Sequence, residues 1–235
     1  GFRLHLQPGD STDTQSGPGA LQLIAGAHGR HRMLVLVAGV GMAGALARPV
    51  SSRIATAFRR DGIAYSPGLL TPADFAEVQR ECRKLRSKMK KEKNSIALGR
   101  RGVVLDTRSA SHAALMTTAM AERLSSMLGL EESLRPSEFP VELRHYPVGA
   151  GMEWHRDDLL YARPQTELVF TLENESDSFT EWVDAAGELH SVWTEPNSMI
   201  AVRAGEEGPR HRVTPIRRGE RTILKLVFTD TDERS

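Results

Sequence analysis

The residues best suited to chemistry lie in the C-terminal half of the chain. His155-Arg156-Asp157 is the one place where a histidine is followed, two residues on, by a carboxylate. On an extended strand residues two apart point to the same side, so these two side chains can converge on one point. His211 follows after a gap of 56 residues, and Arg221 after a further 10. The stretch from Gly208 to Phe228 reads as two short strands, His211 to Ile216 and Arg221 to Phe228, joined by the turn Arg217-Arg218-Gly219-Glu220. Two imidazoles and one carboxylate are a donor set for non-haem Fe(II), gripping the ion on one face and leaving the other open. Arg221 adds a planar, permanently charged fork that suits a carboxylate.

Singly, these features say little. A chain with 8 histidines contains about one His-x-acid by chance, and a lone strand histidine is more often a packed core residue than a ligand. The paired strands, the two spacings and the arginine are nearly independent, and it is their coincidence that favours a metal site.

On these residues the chain resembles an Fe(II)/2-oxoglutarate-dependent dioxygenase, nearest the prolyl 4-hydroxylase-like group. That family carries a His-x-Asp, a second histidine and then a basic residue, at gaps like the 56 and 10 residues found here. The resemblance runs from Arg59 to Phe228 and is densest from Tyr146 onward. It implies that His155, Asp157 and His211 hold Fe(II) and that Arg221 clamps the C5 carboxylate of 2-oxoglutarate, the co-substrate. It further implies O2 as oxidant and ascorbate as a supporting reductant. Tyr146, nine residues before His155, matches a tyrosine whose hydroxyl reaches oxoglutarate. Thr180 matches the threonine of a Gly-Gly-Glu-Thr turn, which here reads Ser176-Asp-Ser-Phe-Thr180. Other sets drawn from His145, His190, Glu153 and Asp158 do not reproduce the family spacing. Lys225 shares the strand parity of Arg221 and is its rival for the anion.

The implied activity is hydroxylation of an unactivated C–H, since halogenating relatives carry Ala or Gly where Asp157 stands. A protein side chain is the first expectation for the substrate, because the chain lacks the large inserts that enclose small ones; a small metabolite is the second. The rival class is a non-catalytic jelly-roll protein acting in assembly or as a scaffold.

Such a site needs a β-sandwich to hold it. From Phe139 the hydropathy period moves toward two, and eight strands are expected: Pro140 to Tyr146, Met152 to Asp157, Glu167 to Glu173, Phe179 to Asp184, Glu188 to Trp193, Ser198 to Arg203, His211 to Ile216 and Arg221 to Phe228. Eight short antiparallel strands suit a jelly-roll. Ahead of them, Ile63 to Tyr65 reads as a short strand. Thr71-Pro-Ala-Asp74 reads as a capped helix start, and Phe75, Val78, Cys82, Leu85 and Met89 follow as one apolar seam. Ser111 to Leu128 reads as a second helix, with Met116, Met120 and Met127 on its core side and Gly129 as its stop. Trp154, Trp182 and Trp193 are expected in the core. The fold class is therefore α+β and mainly β, a double-stranded β-helix with N-terminal supporting helices. One oxygenase domain is expected over 58–235, with helical support over 58–138 and the jelly-roll over 139–229.

With 235 residues and 40% apolar composition, the chain can bury one good core and hardly two. A net charge of +1 hides an uneven distribution: residues 140 to 235 hold 11 basic and 18 acidic side chains. An acidic catalytic half argues against nucleic acid as partner. The single cysteine, Cys82, excludes an intrachain disulfide and multi-Cys zinc sites. Arg80 to Lys93 carries eight basic residues, a solvated helix face or a surface for an acidic partner. No apolar run is long enough for a membrane span. Residues 1–57 read as an extension, disordered or targeting-like: a basic start, the apolar run Leu34 to Ala47, then an Arg/Ser/Ala-rich stretch. That order suits import into an organelle, with the plastid ahead of the mitochondrion and secretion third.

Overall fold

The computed structural model describes residues 50–230; the apolar run and any targeting signal in 1–49 lie outside the described residues. The first described element is a helix, α1 (Val50–Asp61), which begins ahead of the expected boundary at 57/58. Its Ile54, Ala55 and Phe58 are buried, and it lies against a later helix, α4 (Thr118–Leu128), and the strand β1 (Ile63–Ser66). Residues 50–57 therefore belong to the folded domain rather than to an extension. An Arg/Ser/Ala-rich composition looks like a transit peptide, but the i, i+4 placement of Ile54 and Phe58 supplies a core-facing stripe. Phe58 is 1% exposed. Phe58→Ala should lower unfolding free energy by about 3–5 kcal/mol in a denaturant titration. A change under about 1 kcal/mol, far below the usual cost of emptying a core site, would show that the helix is only loosely docked.

Helix α2 (Pro72–Leu85) starts as expected, with the Thr71 hydroxyl accepting from the Asp74 amide. Val78 and Cys82 are buried, with Phe75, Leu85 and Met89 partly so, along the predicted seam. Burial pushes the Cys82 thiol up to about 11, so it is inert at neutral pH. The basic stretch is not one helix: α2 gives way to a 3-10 turn over Arg86–Lys88 and the short strand β2 (Lys90–Lys91). Part of its charge is also neutralised internally, because Arg83 and Arg86 both pair with Glu173 and Arg86 also meets Glu220 at 2.9 Å. The single helix expected over 111–128 is two, α3 (Ala110–Leu115) and α4. Met116 leaves helical geometry and the Thr117 hydroxyl caps the new start by accepting from the Met120 amide at 3.1 Å. A threonine can cap as readily as it can continue a helix, and apolar spacing alone does not reveal which. Met116 and Met120 are buried in the core, and Met127, partly buried, packs against that core.

The remaining strands are β3 (Arg101–Val104), β4 (Leu134–Pro136), β5 (Glu142–Tyr146), β6 (Met152–His155), β7 (Gln165–Asn174), β8 (Thr180–Val183), β9 (Leu189–Val192), β10 (Ser198–Arg203), β11 (His211–Val213) and β12 (Arg221–Asp230). The eight expected strands are β5 to β12. They form two antiparallel sheets: β5, β12, β7 and β10 lie in the larger one, and β6-β11-β8-β9 form the smaller. β1, β2, β3 and β4 extend the larger sheet. This is the jelly-roll.

His211 and Arg221 do not lie on two arms of one hairpin. β11 pairs with β6 and β8, whereas β12 pairs with β5 and β7, so the turn 217–220 carries the chain from one sheet to the other. Asp177 fastens it by accepting from the amides of Arg217 (2.9 Å) and Arg218 (3.1 Å). Gly219 has φ +72°, and a Cβ there would stand 2.2 Å from the Glu175 carbonyl oxygen. No other residue fits this crossing without moving backbone.

In the larger sheet the two faces have separate tasks. Leu143, Leu168, Phe170, Met199, Ala201, Leu224, Leu226 and Phe228 join Phe58, Val78, Leu124 and Leu128 in the helix-backed core. Their strand neighbours of the other parity, including Tyr146, Val169, Ile200, Arg221 and Ile223, line the space between the sheets. Among the tryptophans, Trp182 packs beside Ile63, Ile200 and Val202. Trp154 is a correction: it is not in the core but lies beneath the guanidinium of Arg212, 4.8 Å from its ring centre.

Candidate active site

The space between the sheets is a cleft lined by His155, Asp157, His211, Tyr146, Thr180 and Arg221, among others. Every site residue expected from the sequence is there. His155 and His211 are direct cross-strand partners on β6 and β11, with ring centres 4.2 Å apart. Asp157 lies two residues beyond the end of β6, so strand parity alone does not place it. Its backbone carbonyl accepts from the Gly205 amide at 2.8 Å, which fixes the turn that brings the carboxylate back to the histidines. Asp157 Oδ1 is 3.6 Å from His155 Nε2, and Oδ2 is 3.5 Å from His211 Nε2. These separations are too long for good hydrogen bonds, but one donor atom from each residue lies within 4.8 Å of the others.

The tautomers point the same way. His155 Nδ1 is 2.8 Å from the Glu153 carbonyl and His211 Nδ1 is 3.2 Å from the Pro209 carbonyl. A carbonyl can only accept, so each Nδ1 carries the proton and each Nε2 presents a lone pair to the space beside Asp157. His155 Nε2 is buried there without a hydrogen-bond partner. Burial pushes His211 below the ordinary imidazole range, outweighing the pull of Asp157, so it is neutral at pH 7 and ready to donate to a metal. Burial pushes the Asp157 carboxyl up, but His155, His211 and Lys225 together outweigh it and hold the carboxyl at about 2. Two imidazole nitrogens and one ionised carboxylate fit a divalent cation.

Arg221 is 1% exposed and opposes Tyr146 across the β5–β12 pair. Its Nη1 donates to Thr180 Oγ1 at 2.9 Å, and its buried Nε has no partner. Burial pulls it down to about 10. Among the described residues no carboxylate forms an ion pair with it. Lys225 lies on the same face but is committed elsewhere, with its Nζ 2.7 Å from Glu167 Oε2. Burial and the nearby Asp157 raise the Glu167 carboxyl to about 7 against the pull of Lys225. Of the two rivals for an anion, Arg221 is thus the cation left free. The other candidate ligands are also occupied: His145 Nδ1 meets the Thr222 hydroxyl at 3.1 Å, and His190 pairs with Asp184 at 2.8 Å.

Two features of the site escape a reading of the sequence. Glu167 is a charge inside the apolar run of β7, and its shared parity with Val169 is a usable signal. Arg100 reaches Tyr146 from the loop before β3, and nothing in the sequence separates it from the exposed Arg101 beside it.

No protein-family model matches the chain, and no curated protein matches it. Solved structures do. A prolyl-4-hydroxylase from Pseudomonas putida is similar over 77% of this chain and 100% of its own, with 21% identity and a TM-score of 0.59. A prolyl hydroxylase from Trichoplax adhaerens, in complex with a peptide of the hypoxia inducible factor oxygen degradation domain, is similar over 79% and 91%, with 12% identity and a TM-score of 0.61. The epimerase SnoN from nogalamycin biosynthesis, solved with Fe3+ and alpha ketoglutarate, is similar over 77% and 83%, with 17% identity and a TM-score of 0.61. The fold is that of the 2-oxoglutarate-Fe(II) oxygenases. Within this oxygenase fold, the smaller sheet and the turn after it supply the three metal-ligand candidates, while the larger sheet supplies Arg221 and Tyr146 opposite them.

Proposed function

We propose that the protein is an Fe(II)- and 2-oxoglutarate-dependent hydroxylase acting on an unactivated C–H of a protein side chain. One observation carries the reading. The convergent His155, Asp157 and His211 share a cleft with a fully buried Arg221 whose charge has no carboxylate partner. An uncompensated buried guanidinium is costly, and the C5 carboxylate of oxoglutarate would supply the missing anion. Thr180 holds one arm of the fork, and the Tyr146 hydroxyl offers a further donor beside it. Bound iron would let O2 act as the oxidant, with one oxygen atom entering the C–H as hydroxyl and the other going into succinate as oxoglutarate, the two-electron reductant, loses CO2. The chain's own residues set orientation and dryness. The two backbone-anchored imidazoles fix the ligand directions, and Val169, Ile200, Val202, Val213 and Ile223 keep the cleft walls apolar.

The short segment just C-terminal to Asp157 supports the substrate class. Leu159 and Leu160, two and three residues after Asp157, are 53% and 43% exposed, and exposed apolar side chains suit contact with a polypeptide segment better than with a small ligand sealed from solvent. The peptide complex of the Trichoplax adhaerens hydroxylase lends the same support. Purified protein incubated with Fe(II), ascorbate and oxoglutarate should release succinate slowly, and faster when a protein fraction containing the substrate is added. Stimulation by a small-molecule fraction alone would move the substrate class to metabolites. Absence of succinate from protein that has taken up metal would favour a non-catalytic scaffold.

A further inference from the structure

Among the described residues Arg100 and Arg221 are the two bulkiest side chains that are fully buried, and both face Tyr146. Arg221 opposes Tyr146 across the β5–β12 pair. Arg100 comes from outside the jelly-roll. Its Nη1 donates to the Tyr146 hydroxyl at 3.1 Å and approaches Met152 Sδ at 3.5 Å. On its other side Nε and Nη2 both donate to Glu92, at 2.9 and 2.5 Å. The loop between Glu92 and Arg100 is itself tied to the site. Asn94 Oδ1 accepts from the amides of Ile96 and Ala97, and the carbonyls of Leu98 and Ile96 accept from the amides of Gly151 and Glu153, on either side of the start of β6. That strand carries His155.

We propose that Arg100 is a positioning residue for the anion end of the cleft, acting through Tyr146; the inference rests on the reading of that end as an oxoglutarate pocket. The Tyr146 oxygen accepts from Arg100, so the phenol's own proton must go elsewhere. Among the described residues its one other hydrogen-bond partner is Met152 Sδ at 3.8 Å, a weak acceptor. A carboxylate oxygen held by Arg221 would be a far better acceptor. The charged donor behind the phenol fixes its direction and polarises the O–H toward that anion. Glu92 balances the Arg100 charge, so Arg221 alone remains as the uncompensated cation, and Arg100 works through the tyrosine rather than by direct contact.

The test is calorimetric titration of oxoglutarate into Mn(II)-loaded protein, together with steady-state kinetics. Tyr146→Phe should weaken oxoglutarate binding about three- to tenfold, the worth of one hydrogen bond. Arg100→Met made together with Glu92→Met removes both charges without stranding either, and should weaken binding about as much. If Arg100 acts through Tyr146, the triple variant binds no worse than Tyr146→Phe alone, within about twofold. KM for oxoglutarate should rise more than kcat falls, and Arg100→Lys, which keeps the charge but shortens the reach, should recover part of the loss. Multiplicative losses in the triple variant, or wild-type affinity in the Arg100/Glu92 variant, would overturn the inference. Should that variant fail to melt cooperatively, Arg100→Lys decides alone: wild-type affinity refutes the proposal and weakened affinity at an unchanged melting temperature supports it. Wild-type protein that takes up Mn(II) but not oxoglutarate would instead sink the reading of the pocket itself.

Discussion

Asp157→Ala and His211→Ala should each abolish oxoglutarate turnover and lower divalent-metal affinity by about a hundredfold or more, since loss of even a supporting outer partner is worth about 10–100-fold. Either change leaves two donors where three converge. The fold should survive. The three residues sit at the wall of a cleft, and the helix-backed core does not contain them. For Asp157 the metal-free protein carries a further, pH-dependent contribution. Its carboxyl is held at about 2, below the ordinary aspartate value of 3.8, which is worth about 2 kcal/mol. A depressed carboxylate stabilises above its unfolded pKa, so this contribution is present above about pH 4 and disappears as the pH falls toward about 2. In Asp157→Ala the stability difference from wild type should shrink over that window. Wild-type turnover in either variant would refute the metal assignment, and loss of cooperative unfolding in both would make the residues structural.

Arg221→Ala should weaken oxoglutarate binding about tenfold to over a hundredfold, from a charge-assisted contribution of about 1.5–3 kcal/mol in a dry site. Metal affinity should not move, because Arg221 belongs to the opposite sheet from the ligand histidines. Arg221→Lys should do less harm, as it keeps the charge while losing the fork that donates to Thr180 and would take a carboxylate at the same time. Lys225→Ala is the control. Its ammonium is paired with Glu167, so removal should disturb the cleft without the same loss of oxoglutarate affinity. A larger loss from Lys225→Ala than from Arg221→Ala, measured by calorimetry, would reverse the assignment of the two cations.

Much of this is legible in the chain because alternation is a strong signal. All eight jelly-roll strands lie within a few residues of the ends that the hydropathy pattern predicts, and His155, His211, Arg221, Tyr146 and Thr180 all reach one cleft. Local composition fails where tertiary contact decides. Ile54 and Ala55 look like part of a presequence until α4 and β1 are there to bury them. The pairing of β11 with β6 rather than β12 is invisible in a stretch that reads as strand, turn, strand, because a sheet crossing and a hairpin use the same turn residues. For Asp157 strand parity is an incomplete reason, since the turn anchored at Gly205 brings it round. Arg100 is out of reach altogether, since its burial depends on Glu92 and Tyr146, which come from separate parts of the chain.

The division of labour across the larger sheet has a bearing on how such a protein can diversify. Neighbouring residues such as Leu224 and Lys225, or Leu168 and Val169, answer to different demands, one to the helices behind and the other to whatever occupies the cleft. Substitutions on the cleft side can therefore accumulate without reshaping the scaffold, and repacking beneath the helices can proceed without touching the chemistry. A new specificity is reachable by single side-chain changes at every second position. A one-residue insertion within β12 is a different matter, because beyond it the two sets of residues would exchange places, sending Leu224 and Leu226 into the cleft and Lys225 into the oil beneath the helices.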